Sequence, residues 1–445
     1  MLIEFSVGNY RSFKEVVTLS MVATNIKSRD EDLDQRTVFI APDGKTRLLT
    51  SAAIYGANAS GKSNLIKAFA FVRTMVLHSL QRLADGDLME VEPFRLALST
   101  RKDPSVFEVI FMNDTTTYRY GFAATPQRIV QEWLYRKPHG KCREARLFER
   151  TADAPDTPLQ LARGVFKEGR RAFASTRPNA LYLSVLADTF NDPTALQITR
   201  WFRRNVQTIS GLRDGSKPLS LECLEAGHEH RAAVLAFFQQ LDLAITDIHI
   251  KTEAIDLDAL AKGIRIPMAR SLIMKSLRED PNWQRVEVKT VHQVYDDAGQ
   301  PIATELFDLD QHESDGTQKL FALAAPIVVA LQQGLLLVID EFDARLHPLM
   351  TRALMQLFND PRTNPHHAQL IFTTHDTNLL DPDLLRRDQI WFMEKNEVQA
   401  TLLVALAEFK VRNDASFARD YLTGGYGAVP YIGRILEFKE DYVTA

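Results

Sequence analysis

The string Gly56-Ala57-Asn58-Ala59-Ser60-Gly61-Lys62-Ser63 fits the spacing G-x-x-x-x-G-K-[ST], and it stands where that spacing has a mechanical meaning. It follows the short apolar run TSAAIY at 50–55. It opens a stretch, 62–83, in which Leu65, Ile66, Phe69, Val72, Val76 and Leu80 recur with helical period. A strand that turns through glycines into a helix points free amides and the positive end of the helix at one place, and that place suits a phosphate. Gly56, Asn58, Ala59, Ser60 and Gly61 form the binding loop. Lys62 is expected to reach the β- and γ-phosphates, and Ser63 to coordinate Mg²⁺.

Three further strings belong to the same chemistry. LLLVIDEFD, 335–343, reads as a buried strand whose carboxyl end carries Asp340 and Glu341, the end at which open α/β sheets bind ligands. Asp340 is expected to hold Mg²⁺ through water, and Glu341 to orient and deprotonate an attacking water. QLIFTTHD, 369–376, is a second apolar strand, and it brings His375 to its end. The interval from Asp340 to His375 leaves space for one crossover helix, so the two strands can be parallel neighbours, with His375 beside the carboxylates. Glu313-Ser314-Asp315-Gly316-Thr317-Gln318 precedes an apolar helix at 319–332, where Ser314 and Gly316 form either an anion site or an ordinary helix cap.

Composition removes other classes. The 445 residues carry 53 Lys and Arg against 57 Asp and Glu, so the net charge of −4 does not announce a nucleic-acid binder. Two cysteines, Cys142 and Cys223, far apart, fit neither a disulfide framework nor a zinc finger, and a cytoplasmic setting is expected. The start MLIEFSVGNYRSF has no signal-peptide form. Residues 320–339 are apolar enough to imitate a membrane span. However, Gln332-Gln333-Gly334 splits them into a helix and a strand, so no membrane is expected. Short β-rich pieces fill 90–136, polar loops 137–180 and helices 180–246, and a hairpin is expected over 286–309 around Asp296-Asp297-Ala298-Gly299.

Taken in order, GANASGKSN, ESDGTQ, LLLVIDEFD and TTHD resemble the motifs of ABC-type ATPases of the SMC, RecF and OLD group. Asn64 after the loop and the opening NYRSFKE are similar to that group's usage. DEFDARLHP and YLTGGYGAVP, 421–430, bring the chain nearest to stand-alone bacterial ATP-binding proteins of abortive infection and anti-phage defence. The resemblance covers 1–95 and 300–445 well. ESDGTQ departs from the more usual LSGGQ. Gln127 and Gln131 are weak candidates for the glutamine loop, Tyr10 or Phe13 for stacking on adenine, and Arg11 for a phosphate contact.

The resemblance implies an α/β, RecF-like P-loop core assembled from both chain ends. It divides the chain into 1–95 with the phosphate loop, an inserted α+β region at 96–300, and 301–445 with the signature, Asp-Glu and histidine motifs. It implies ATP and Mg²⁺ as cofactors, with Lys62, Glu341 and His375 catalytic. Ser314 and Gly316 would contact ATP held by a second protomer, giving a homodimer or higher homo-oligomer with ATP sandwiched between copies. The implied function is an ATP-hydrolysing switch that controls a separate operon-encoded effector, such as a nuclease. The rivals are a RecF-like DNA-repair ATPase and a scaffold that binds nucleotide without turnover. The absence of an Asn-Lys-x-Asp string disfavours a GTPase, and the 70 residues after His375 are too few for an OLD-type nuclease domain. From Arg128 to Lys217 there are 17 Lys and Arg against 9 Asp and Glu, a basic region expected to meet nucleic acid or an acidic partner. Its pairs Arg136-Lys137, Arg170-Arg171 and Arg203-Arg204 have Trp133, Phe173 and Trp201 nearby as candidate stacking groups.

Overall fold

Short apolar strands far apart in sequence come together in one six-stranded sheet. Its order is Val206–Ile209, Leu336–Ile339, Gln369–Thr373, Ser51–Gly56, Ile390–Lys395 and Thr401–Ala405. The first five strands are parallel and the last is antiparallel. Every residue of Ser51–Gly56, Leu336–Ile339 and Gln369–Thr373 is buried, which is why these strands read as continuous apolar runs. Helix Pro348–Asn359 makes the crossover between the two strands of 336–373. It begins at Pro348, with His347 Nδ1 accepting the amide of Leu349 at 3.2 Å. The shared strand direction brings Gly56, Asp340 and the segment after Thr373 to the carboxyl end of the sheet.

The computed structural model describes residues 1–26, 28–152, 154, 158–210, 217–241, 243–254, 284–411 and 415–430. The chain divides into two compact units, 1–214 with 329–445, and 215–328. These divisions differ from the expected ones at 95 and 300, and the reason is strand pairing. Ser105–Asn113 hydrogen-bonds to Leu2–Gly8, so the β-rich segment shares an antiparallel sheet with the amino-terminal strand. That seven-stranded sheet runs Leu159–Leu161, Ala145–Thr151, Ile129–Lys137, Thr116–Ala124, Ser105–Asn113, Leu2–Gly8 and Val17–Ser20.

One apolar core joins inward residues of both sheets to helix Lys62–Arg82. Leu65, Ile66, Phe69, Val72 and Val76 are buried in it, and the Phe69 ring stacks on Phe5 at 3.7 Å. Gln369 ties the sheets together through polar contacts. Its Oε1 accepts the Leu2 amide at 2.7 Å, and its Nε2 donates to Leu2 O at 3.1 Å and Leu49 O at 3.3 Å. The buried carboxylate of Glu132 is fully engaged. It accepts from Tyr120 Oη, Arg150 Nε and the amides of Tyr182 and Leu183, all between 2.8 and 3.0 Å.

The second unit contains a three-stranded antiparallel sheet, Ile245–Ala254, Gln284–Tyr295 and Pro301–Asp308, with the expected hairpin closed by Gly299 N donating to Asp296 O at 2.9 Å. It also contains helices Lys217–Leu224 and Arg231–Gln240 and the greater part of Asp315–Gln333. Pro326 lies inside that last helix and has no amide for Ala322 O. The Ser220 hydroxyl reaches the gap, donating to Phe321 O at 2.7 Å and approaching Ala322 O at 3.5 Å. The helix stops at Gly334, whose φ of +68° only glycine adopts without strain, and the strand follows. No helix among the described residues is long and apolar enough to cross a membrane.

Candidate functional site

The phosphate loop folds as its residues dictate. Gly61 has φ +115°, and a Cβ there would collide with Thr401 Oγ1 and Ser12 Oγ. Around it, Thr401 Oγ1 donates to Ser60 O at 2.7 Å, Asn64 Nδ2 donates to Ser12 Oγ at 2.8 Å, and Thr401 N donates to Ser12 O at 2.8 Å. The loop is therefore clamped between the turn after the first strand and the last strand of the sheet. Lys62 is 7% exposed and folds back over the loop, donating to Gly56 O at 2.7 Å and Ala57 O at 3.1 Å. Burial holds its ammonium below the ordinary lysine range, while Asp340, Asp343 and Glu341 pull in the opposite direction.

At the end of Leu336–Ile339 the two carboxylates are set by the neighbouring strand. Thr373 Oγ1 donates to Asp340 Oδ1 at 2.6 Å and accepts the Glu341 amide at 2.8 Å. Asp340 is 5% exposed. Glu341 takes φ +51°, a left-handed conformation that costs a non-glycine residue about 1–3 kcal/mol and turns the chain sharply away from the strand. Asp343 Oδ2 accepts the His375 amide at 3.2 Å, so the Asp-Glu segment and the histidine segment are joined directly. Desolvation first, and the Lys62 charge second, lower the His375 pKa against the pull of Asp343, Glu341 and Asp340, although much of the ring surface is open to solvent.

These residues line one cleft of about 540 Å³: Asn58, Ala59, Ser60, Gly61, Lys62, Ser63, Asn64, Asp340, Glu341 and His375, with Ser12 and Lys395. Gly56 closes the strand beneath the loop, where a Cβ would collide with Met393 O. Ser60 Oγ is buried without a partner, and the Ser63 hydroxyl and Glu341 carboxylate have none among the described residues. This donor set fits a magnesium-bound polyphosphate. A hydroxyl and a carboxylate are the hard oxygen ligands that Mg²⁺ takes, and Mg²⁺ completes its shell with water and phosphate oxygens. No group of three or more His, Cys, Asp or Glu side chains that could hold a metal occurs among the described residues.

Ser314 and Gly316 lie in the second unit. Ser314 Oγ accepts the Thr317 amide at 3.1 Å and contacts Thr317 Oγ1 at 2.9 Å, so this hydroxyl caps helix Asp315–Gln333. Glu313 is held by the Thr290 hydroxyl and by His292 Nε2 at 2.7 Å, and Gln318 Nε2 donates to Glu313 O at 3.1 Å.

Several lesser candidates are corrected. Tyr10 and Phe13 are core residues, with Tyr10 packed on Phe71 and Phe107, so neither is free to stack on a base. Arg11 is paired with Glu92 at 2.8 Å. Gln131 donates to Glu149, Gln127 sits in an exposed turn, and neither lines the cleft. Trp201 is 2% exposed and stacks on Phe111 at 4.1 Å. Trp133 lies over Gly121 and donates to Glu108, and Phe173 packs on Tyr182. The basic region keeps its exposed arginines, Arg170, Arg171, Arg203 and Arg204, but the three expected rings are engaged elsewhere, and Arg171 lies over Phe190 at 6.0 Å instead. Residues 153, 155–157 and 211–216 of that region lie outside the described residues. Ser12 and Lys395 were missed as cleft residues. Ser12 had a signal, its place in NYRSFKE, and Lys395 had none without the strand order.

The family model described as "AAA domain, putative AbiEii toxin, Type IV TA system" matches residues 51–205 and 227–381, well over half of the chain. No curated protein matches it.

Proposed function

The chain belongs to this AAA-domain family, and from that membership we propose that it is an ATP-binding and ATP-hydrolysing switch that controls a separate effector in abortive infection. One observation carries the reading. The phosphate loop, the Asp340–Glu341 pair and His375 converge on a single cleft, although more than 270 residues separate the loop from the carboxylates. We assign the first unit to a RecF-like P-loop core built from both chain ends. The support is the strand order, in which Ser51–Gly56 stands between Gln369–Thr373 and Ile390–Lys395.

In this reading the loop amides and Lys62 bind the phosphate chain, and Lys62 exchanges its contacts with Gly56 O and Ala57 O for phosphate oxygens. Ser63 and Asp340 would hold Mg²⁺, with Thr373 fixing the Asp340 carboxylate. When bound, Mg²⁺ neutralises charge that builds on the transferred phosphoryl group. Glu341, whose carboxylate has no protein partner among the described residues, takes the proton of the attacking water. His375, whose pKa is lowered by burial and by Lys62, can donate a ring N–H to a terminal phosphate oxygen. Ser314 and Gly316 serve the cleft of a second copy, giving a homodimer closed over ATP. The effector is an operon-encoded protein such as a nuclease, and the setting is the cytoplasm.

Glu341→Gln tests the core of this reading. The variant should bind ATP with near-normal affinity, hydrolyse it at about a hundredth of the wild-type rate or less, and accumulate an ATP-dependent dimer on size exclusion. Hydrolysis near the wild-type rate removes Glu341 from the role of base.

A further inference from the structure

Strand Ile390–Lys395 runs parallel to Ser51–Gly56, with Met393 paired to Gly56. It therefore ends two residues beyond the point where the phosphate loop begins, and its last residue, Lys395, lines the cleft together with Asn58, Lys62, Ser63 and Asp340. The Lys395 side chain is exposed, and its ammonium has no ion-pair partner among the described residues.

The residue before it is fixed by the carboxyl-terminal string YLTGGYGAVP. Glu394 Oε2 accepts the Ala428 amide at 3.2 Å, and a Cβ on Gly427, which has φ +65°, would collide with that same carboxylate. The turn is held in place by aromatic packing. Tyr421 and Tyr426 both stack on Phe392, at 5.4 and 5.3 Å, and Tyr421 Oη donates to Ala428 O at 3.2 Å. On the other side, Tyr421 meets Tyr55, whose hydroxyl donates to Asp376 O at 3.1 Å. The string thus packs against two neighbouring strands, Ser51–Gly56 through Tyr55 and Ile390–Lys395 through Phe392, and it anchors the end of the second through Glu394.

We propose that Lys395 is a second phosphate-binding cation of the cleft, held on station by the turn Tyr421–Pro430 through Glu394. The proposal rests on the reading of the cleft as a nucleotide site and names a ligand contact within it. The charge balance calls for such a group. Asp340 and Glu341 already place two carboxylates at the wall, and a triphosphate brings more negative charge than one divalent cation and Lys62 can match. An ammonium on the end of a strand, with a long stem and no competing anion, supplies the missing charge without a desolvation penalty in the empty state.

The test measures binding of ATP, ADP and adenosine with Mg²⁺ to the full chain by calorimetry, for wild type, Lys395→Ala and Lys395→Arg. Lys395→Ala should weaken ATP about tenfold, or about 1.4 kcal/mol, and should leave adenosine and the thermal unfolding midpoint unchanged. Lys395→Arg should restore most of the loss. A loss shared by ATP and ADP places the contact on the inner phosphates, and a loss confined to ATP places it on the terminal one. Equal ATP affinity in wild type and Lys395→Ala overturns the proposal and leaves the nucleotide reading standing, as does a loss that falls equally on adenosine. Wild-type protein that binds no nucleotide overturns the nucleotide reading itself. Glu394→Gln, which keeps an acceptor for Ala428 N, should retain binding. Gly427→Val, which displaces Glu394, should lose ATP affinity to the same degree as Lys395→Ala, and unchanged affinity there removes the turn from the argument.

Discussion

Thr373 holds Asp340: its hydroxyl donates to Oδ1 at 2.6 Å from the adjacent parallel strand, and the same oxygen accepts the amide of Glu341. One side chain therefore fixes the carboxylate proposed to hold a metal and the backbone of the carboxylate proposed to activate water. Thr373→Val keeps the shape and removes both bonds, leaving a buried carboxylate oxygen and an amide unsatisfied. The expected result is a loss of about 1–3 kcal/mol in stability. The same variant should need more Mg²⁺ for half-maximal ATP hydrolysis. An unchanged Mg²⁺ dependence separates Thr373 from the metal.

The proposed dimer makes a complementation experiment decisive. Lys62→Ala and Gly316→Asp proteins should each be inactive. In a mixed dimer one interface collects both defects and the other joins an intact Lys62 to an intact Gly316, so a 1:1 mixture that exchanges freely should recover about a quarter of the wild-type ATPase activity. If subunits exchange, as shown by labelled copies, and activity stays at zero, the shared site is wrong.

His375 gives a pH signature. Its pKa is lowered by desolvation and by Lys62, so in the folded chain it should titrate below the ordinary 6.5. The sign follows from linkage. A folded-state pKa below the unfolded one means that the unfolded chain binds the proton more readily. The contribution of His375 to stability is then complete above about pH 6.5 and is lost as pH falls through the folded value. Lys62→Ala removes a neighbouring positive charge and should move the His375 titration upward in an NMR experiment. A wild-type value at or above 6.5, or no upward movement in the variant, contradicts the electrostatics described here.

Ser220→Ala tests the helix of the second unit. Loss of its hydroxyl leaves the carbonyls around Pro326 short of a donor, and denaturant unfolding should show about 1–2 kcal/mol of destabilisation. Nucleotide affinity should be unaffected.

The sequence shows some of this directly and conceals the rest for physical reasons. LLLVI and QLIFT declare themselves as buried parallel neighbours because an all-apolar strand must be covered on both faces, and the interval between them fits one crossover helix. Val206–Ile209 lies in a stretch read as helical. VQTI is too short to carry a period, and it becomes a strand only because Leu336–Ile339 offers an open edge. Alternation in Ser105–Asn113 shows a half-buried strand but does not name its partner, which turned out to be the amino-terminal strand. Trp201 is a core residue by its spacing. Ala195, Ile198, Trp201 and Phe202 form the apolar stripe of helix Pro193–Arg204, while Arg200, Arg203 and Arg204 face solvent, so the tryptophan belongs to the core by its spacing alone. Lys395 reaches the cleft through strand order, which no local pattern encodes.

That strand order also governs when the protein can exist during its synthesis. Ser51–Gly56 pairs on one side with Gln369–Thr373 and on the other with Ile390–Lys395, which leave the ribosome more than three hundred residues later. At about 5–20 residues per second, the phosphate-loop strand waits some 15–60 seconds with both edges bare. A nascent chain halted before residue 369 presents an apolar strand that invites chaperones or aggregation and has no cleft to fill. A chain halted there lacks two of the sheet's parallel strands together with His375 and Lys395, so the cleft can assemble only after residue 395 has been made.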